Sequence, residues 1–187
     1  DGKFNRRITV DVGSGMVPLR PNGIHVLDDG RLLVTDTGNH RLLFLDKNGG
    51  ILNAVGERGG EPGQFTFPDE LTVSADGTIS VVDVINCRVQ QFTMEGEFVR
   101  EFGSIGQSAG TFARPKAITV DGQGRLWVSD AMANMIQCFT PEGEVKAAMG
   151  TADDGVRLVS PRGMFFRDGK LFIVNRVANR VSVYRIG

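Results

Sequence analysis

The sequence predicts an all-β fold, a β-propeller of four four-stranded blades, and three observations predict it. The 187 residues include 25 glycines and lack sustained helical spacing of Ala, Leu, Glu and Lys, which points to short strands and tight turns. A proline opens an apolar run four times, at Pro21, Pro68, Pro115 and Pro161, at intervals of 47, 47 and 46 residues. Strands such as "RLLV" and "LLFL" are apolar without clean alternation, so each sheet must be covered on both faces. Stacking sheet against sheet around an axis does this, and solenoids of the same period would need helices.

The third unit shows the series of elements. A first strand "AITV" (Ala117 to Val120) runs into a "DGQG" turn, then "RLWVS" (Arg125 to Ser129), the polar loop "DAMAN", "MIQCF" (Met135 to Phe139), a "TPEGE" turn and "VKAAM" (Val145 to Met149). The residue closing the second strand recurs as Asp36, Asp83, Asp130 and Asn175, and the turn glycine as Gly49, Gly96 and Gly143. One domain over residues 1–187 is expected, with blades at approximately 18–56, 65–103, 112–150 and 158–187. Residues 1–13, "DGKFNRRITVDVG", match the outer-strand stretch "EGEFVREFG" (Glu95 to Gly103), while the fourth unit ends after three strands. The expectation is that the N-terminal stretch supplies the outer strand of the last blade and closes the ring. The alternative is an open arc, completed by oligomerisation or truncated from a six-bladed propeller.

Charge narrows the function. The net charge of −1 comes from 21 basic and 22 acidic residues, with no run of like charge. The connector rim, residues 13–23, 56–70, 103–117 and 150–163, balances six bases against six acids, which gives phosphate no net attraction, and a nucleic-acid partner is not expected. No apolar run approaches the roughly 20 residues of a membrane helix, so membrane insertion is not expected. The chain begins at Asp1, from which removal of an upstream segment is expected. The compartment is unassigned, and a secreted or periplasmic site follows only if that segment was a signal. Two cysteines, Cys87 and Cys138, neither require nor exclude an oxidising compartment.

The stretches "PNGIHVLDDGRLLVTDTGNHRLLFLDKNGG" (Pro21 to Gly50) and "VVDVINCRVQQFTMEGEFVREFG" (Val81 to Gly103) resemble NHL repeats, whose signature couples the Asp ending the second strand to an Asn three on and an Arg five on. "GERGGEPGQFTFP" (Gly56 to Pro68) resembles that family's connector between blades. The third unit has Met135 in the Arg place, and the fourth has Asn175 in the Asp place. The resemblance implies an interaction platform for proteins or RNA, or a sensor domain, usually six-bladed; a related zinc-containing group is enzymatic.

Asp36 with Arg41, and Asp83 with Arg88, are expected to be structural loop braces, because a catalytic group is used once whereas these recur at one repeat position. No catalytic constellation and no cofactor are expected: the histidines are His25 and His40 alone, there is no nucleophile elbow, and the glycine-rich loops open no helix. His25, in an inner strand, reads as an interior residue. His40 does not recur, its counterparts being Cys87, Asn134 and Asn179, and it joins the candidate partner-binding residues Asn22, Arg58, Asp69, Arg114, Lys116 and Arg162. Of these, Asn22, Asp69, Lys116 and Arg162 each follow a repeat proline and should circle the channel mouth. The expected function is a non-enzymatic interaction module that binds a protein, peptide or extended ligand on the connector rim. The alternatives are a metal-dependent hydrolase or lyase with a metal near Asp36, Asp83 and Asp130, and a self-assembling structural subunit.

Overall fold

Each repeat proline begins an inner strand, where its missing N–H falls outside the ladder. The structure is a computed structural model that describes residues 2–12, 17–150 and 156–187. Blade 1 contains β1 (Pro21–Val26), β2 (Leu32–Asp36), β3 (Arg41–Leu45) and β4 (Ile51–Val55). Blade 2 contains β5 (Pro68–Val73), β6 (Ile79–Asp83), β7 (Arg88–Phe92) and β8 (Phe98–Phe102). Blade 3 contains β9 (Pro115–Val120), β10 (Leu126–Asp130), β11 (Met135–Phe139) and β12 (Val145–Met149). Blade 4 contains β13 (Pro161–Arg167), β14 (Lys170–Asn175) and β15 (Arg180–Arg185). Within every blade the strands are antiparallel neighbours in chain order, the topology of a β-propeller blade. Inner strands meet in sequence, β1 with β5, β5 with β9 and β9 with β13.

The core lies between blades. Leu33, Leu42 and Phe44 of blade 1 pack on Leu71, Ile79, Val81 and Phe92 of blade 2. Val82, Val89 and Phe102 of blade 2 pack on Ile118, Leu126, Val128 and Phe139 of blade 3, and Trp127, Ile136 and Cys138 of blade 3 pack on Leu171 and Ile173 of blade 4. A connector residue wedges each seam: Phe65, Phe112 and Leu158. The wedges explain two glycines. Gly56 and Gly103 follow outer strands at φ +104° and +90°, and a Cβ there would fall 2.5 Å from Phe65 Cδ2 and 2.4 Å from Phe112 Cε2. Hydroxyls tie two seams as well. Thr35 Oγ1 donates to Asp69 O at 2.5 Å, and Ser129 Oγ donates to Arg162 O at 3.0 Å.

The predicted N-terminal closing strand is not formed. Residues 2–12 make no strand, and β15 has no fourth strand beside it among the described residues. The segment is held locally instead. Arg6 Nη2 donates to Lys47 O at 2.7 Å, and Val10 packs on Val34, Leu43 and Leu45 of blade 1. The two end faces of the array are therefore open. Ile24 on β1 is 59% exposed, where its repeat counterpart Leu71 is 4% exposed; Val181 on β15 is 60% exposed, where Val89 is 0%. This matches the open-arc alternative.

Candidate functional site

The loop joining the second and third strands of a blade carries the first predicted residues. Asp36 accepts from Arg20 N (3.1 Å), Asn39 Nδ2 (2.7 Å) and Arg41 Nε (3.1 Å). Asp83 accepts from Thr66 N (2.9 Å), Asn86 Nδ2 (2.7 Å) and Arg88 Nε (3.3 Å). Burial pushes the Asp83 carboxyl up, against the opposing pull of Asn86, the Thr66 amide and Arg88. Where Met135 replaces the arginine, Asp130 takes backbone N–H groups of Ala113, Arg114, Met132 and Ala133. Where Asn175 replaces the acid, its Oδ1 still accepts from Val159 N at 3.2 Å. The recurring contact is thus side-chain oxygen to the connector backbone just before the inner strand. Each carboxylate is spent on its own loop. Asp36, Asp83 and Asp130 do not converge, and among the described residues no group of three or more His, Cys, Asp or Glu is placed to hold a metal.

His40 closes its loop in the left-handed conformation at φ 56°, as Cys87, Asn134 and Asn179 do in theirs at 54°, 56° and 49°. Its Nδ1 accepts the Phe67 N–H at 3.4 Å. Arg58 is exposed on the second connector, bridged to Phe65. Neither residue lines the cavity described next. Cys87 and Cys138 are free and buried, and burial raises both thiols. His25 is half-buried, and burial lowers its pKa against the opposing charge of Asp28.

A bulge interrupts the pairing of each inner strand just after its proline, between Pro21 and Ile24 and again between Pro68 and Leu71, Pro115 and Ile118, and Pro161 and Met164. Bulges re-aim side chains. The residues at this point, Asn22, Asp69, Lys116 and Arg162, all line one cavity of about 570 Å³, with Arg20, Phe67, Glu70 and Arg114. The structure thus brings together five of the seven predicted binding residues. Arg20, Phe67 and Glu70 were missed by the sequence reading. The signal was available for two of them, since Arg20 and Phe67, like Arg114, stand immediately before a repeat proline.

Inside the cavity the charges divide. Lys116 Nζ lies 2.7 Å from Asp69 Oδ2 and 5.6 Å from the Phe67 ring centroid, and Asn22 Nδ2 donates to Asp69 Oδ1. This cluster satisfies itself. Arg162 is different, because its Nε is buried and has no hydrogen-bond partner among the described residues. Glu70 is half-buried, and burial, then the neighbouring Asp69 charge, raises its carboxyl above the ordinary range. Arg20 and Arg114 stand exposed at the opening. The acids Asp153 and Asp154 of the fourth connector lie outside the described residues.

A family model for the NHL repeat matches residues 19–43. No curated protein matches the chain. Solved structures match by shape. One of a streptogramin B lyase is 20% identical, with a TM-score of 0.65, and the match covers 89% of this chain and 55% of that one. Virginiamycin B lyase from Staphylococcus aureus with quinupristin is 18% identical at a TM-score of 0.65, over 89% and 55%. A nidogen/laminin complex gives 17% identity and a TM-score of 0.69, over 89% and 59%. The chain spans a little over half the length of these structures, and at such identities the likeness is one of fold, a fold shared by lyases and by a protein-binding chain.

Proposed function

We propose that this NHL-repeat β-propeller chain is a non-enzymatic interaction module that binds a protein or peptide segment along the connector rim, with an acidic side chain of that segment entering the cavity. The observation that carries the reading is Arg162. A guanidinium with a buried, unpartnered Nε pays for desolvation without return. A carboxylate, which accepts the planar fork of Arg in a bidentate pair, would satisfy it. Arg114 and Arg20 at the opening add attraction for the same charge, while Asp69 is already neutralised by Lys116.

Selection from a displayed random-peptide library tests this. The native chain should enrich peptides containing Asp or Glu, and Arg162→Glu should abolish that enrichment. Acid-independent enrichment, or equal binding by Arg162→Glu, would overturn the siting. Arg162 is a cleaner position than Lys116, because reversing Lys116 also breaks its internal pair with Asp69.

A further inference from the structure

The loop between the second and third strands of a blade has one position that its fold does not explain. Two residues past the brace residue stand Gly38, Ile85, Met132 and Val177. The last three are large and apolar, yet they are 63%, 64% and 67% exposed. The turn does not require them, because blade 1 closes the same turn with glycine at this place. Nor does a missing neighbour expose them, since the inner strands of blades 2 and 3, which carry Ile85 and Met132, each have a blade on both sides. One exposed aliphatic side chain is ordinary, but its recurrence at one place on one rim marks a surface that meets something apolar.

This position lies at the lip of the cavity. Gly38 lines the cavity itself, and a Cβ there would meet Arg20 Cδ at 2.8 Å, so in blade 1 the arginine at the opening takes up the space. In blade 2 an apolar surface runs outward from the cavity wall. Phe67 reaches that wall at φ 75°, a strained conformation for a bulky residue, and stays 43% exposed. Val84 N donates to Phe67 O and Ile85 N to Thr66 O, each at 3.2 Å, which sets Ile85 beside the Phe67 turn. The third connector carries the surface on to blade 3. Cys87 Sγ lies 3.8 Å from Ala113 O, and Ala131 N donates to Arg114 O at 3.0 Å. On this connector Ile105 is 84% exposed, and residues 103–117 hold Arg114 and Lys116 and no acid.

Resting on the peptide reading above, we infer that the rim of blades 2 and 3 is a second contact for the same segment, which carries an aliphatic or aromatic residue a few positions from its acidic one. The acid enters toward Arg162 and Arg114. The apolar side chain passes over Phe67 and settles against Ile85 and Met132, where its burial adds hydrophobic stabilisation to the ion pair. A cationic segment is repelled by Arg20, Arg114 and Arg162. An anionic lipid surface fits less well, because the second connector beside Ile85 sets Glu57 and Glu61 against Arg58 alone.

Selection from the displayed random-peptide library tests this, with acidic and apolar enrichment scored separately. The native chain should enrich peptides in which Leu, Ile, Met, Phe or Trp stands a few positions from the Asp or Glu. Ile85→Ser combined with Met132→Ser should keep the acid preference and lose the apolar one. A synthetic peptide from the native selection should bind that double variant roughly tenfold more weakly. Circular dichroism checks that the variant is folded, both substitutions being at exposed loop positions. Acid enrichment with no apolar companion, or an apolar preference that survives the double substitution, overturns this inference and leaves the acid site at Arg162 standing. Absence of acid enrichment by the native chain overturns both. Cosedimentation with phosphatidylserine vesicles should show no binding, and vesicle binding that the double variant loses would assign these loops to a lipid surface and overturn the inference.

Discussion

Blades 2 and 4 are built from one repeat and live in different surroundings. In blade 2, β6 and β7 are buried at every position, including Gln90 and Gln91. In blade 4, β15 is exposed at Val181 and Val183. Hydrophobicity alone would have assigned these the other way round. The amides are buried because neighbours satisfy them: Gln90 accepts from Gly63 N and donates to Gln64 O, each at 2.8 Å, and Gln91 Nε2 donates to Pro141 O of blade 3 at 3.0 Å. What buries a residue here is the presence of a blade beside it.

The largest separation comes from the seam positions themselves. Leu42→Ala opens a cavity between blades 1 and 2 and should cost about 3 kcal/mol. Val181→Ala, at the same repeat position, should change chain stability by less than about 0.5 kcal/mol. A large loss at Val181 would show that its face is covered.

A smaller effect that should separate blades 2 and 4 comes from the loop brace. Asp83→Ala leaves the Thr66 amide, the Asn86 amide and Arg88 Nε without their shared acceptor, while Arg88 keeps its pair with Glu101, and should cost about 2–3 kcal/mol. Asn175→Ala removes neutral hydrogen bonds only and should cost about 1 kcal/mol. Urea unfolding of both variants measures the difference, and equal losses would mean that the arginine contributes nothing to the brace.

Smallest is a pH effect in the cavity. Burial and Asp69 raise the Glu70 carboxyl, so the folded state keeps this proton where the unfolded chain has released it. The stability it contributes is full below the ordinary carboxylate range and is lost as pH rises through the raised value. Glu70→Gln should therefore melt higher than the native chain at neutral pH and match it near pH ~4. A constant difference across that range would place Glu70 in a wetter setting than the structure gives it.

The blades were legible because their signals are local: a proline before each inner strand, an acid or amide at the end of the second, a glycine in the turn. The cavity was legible in part, since Asn22, Asp69, Lys116 and Arg162 follow those prolines. What stayed hidden depends on distance. Nothing near Asp69 in the sequence indicates that Lys116, a full repeat away, neutralises it, or that the buried Nε of Arg162 has no hydrogen-bond partner among the described residues. Closure failed for a related reason: residues 2–12 do have outer-strand character, but which blade they serve is decided by the curvature of the whole array.

The left-handed residue before each third strand has a consequence for substitution at that position. His40, Cys87, Asn134 and Asn179 share one backbone conformation across three side-chain chemistries. What the site requires is the turn, and imidazole, thiol and amide side chains each meet it. Exchanging these residues among themselves should leave the turn intact, whereas a β-branched residue there would strain it.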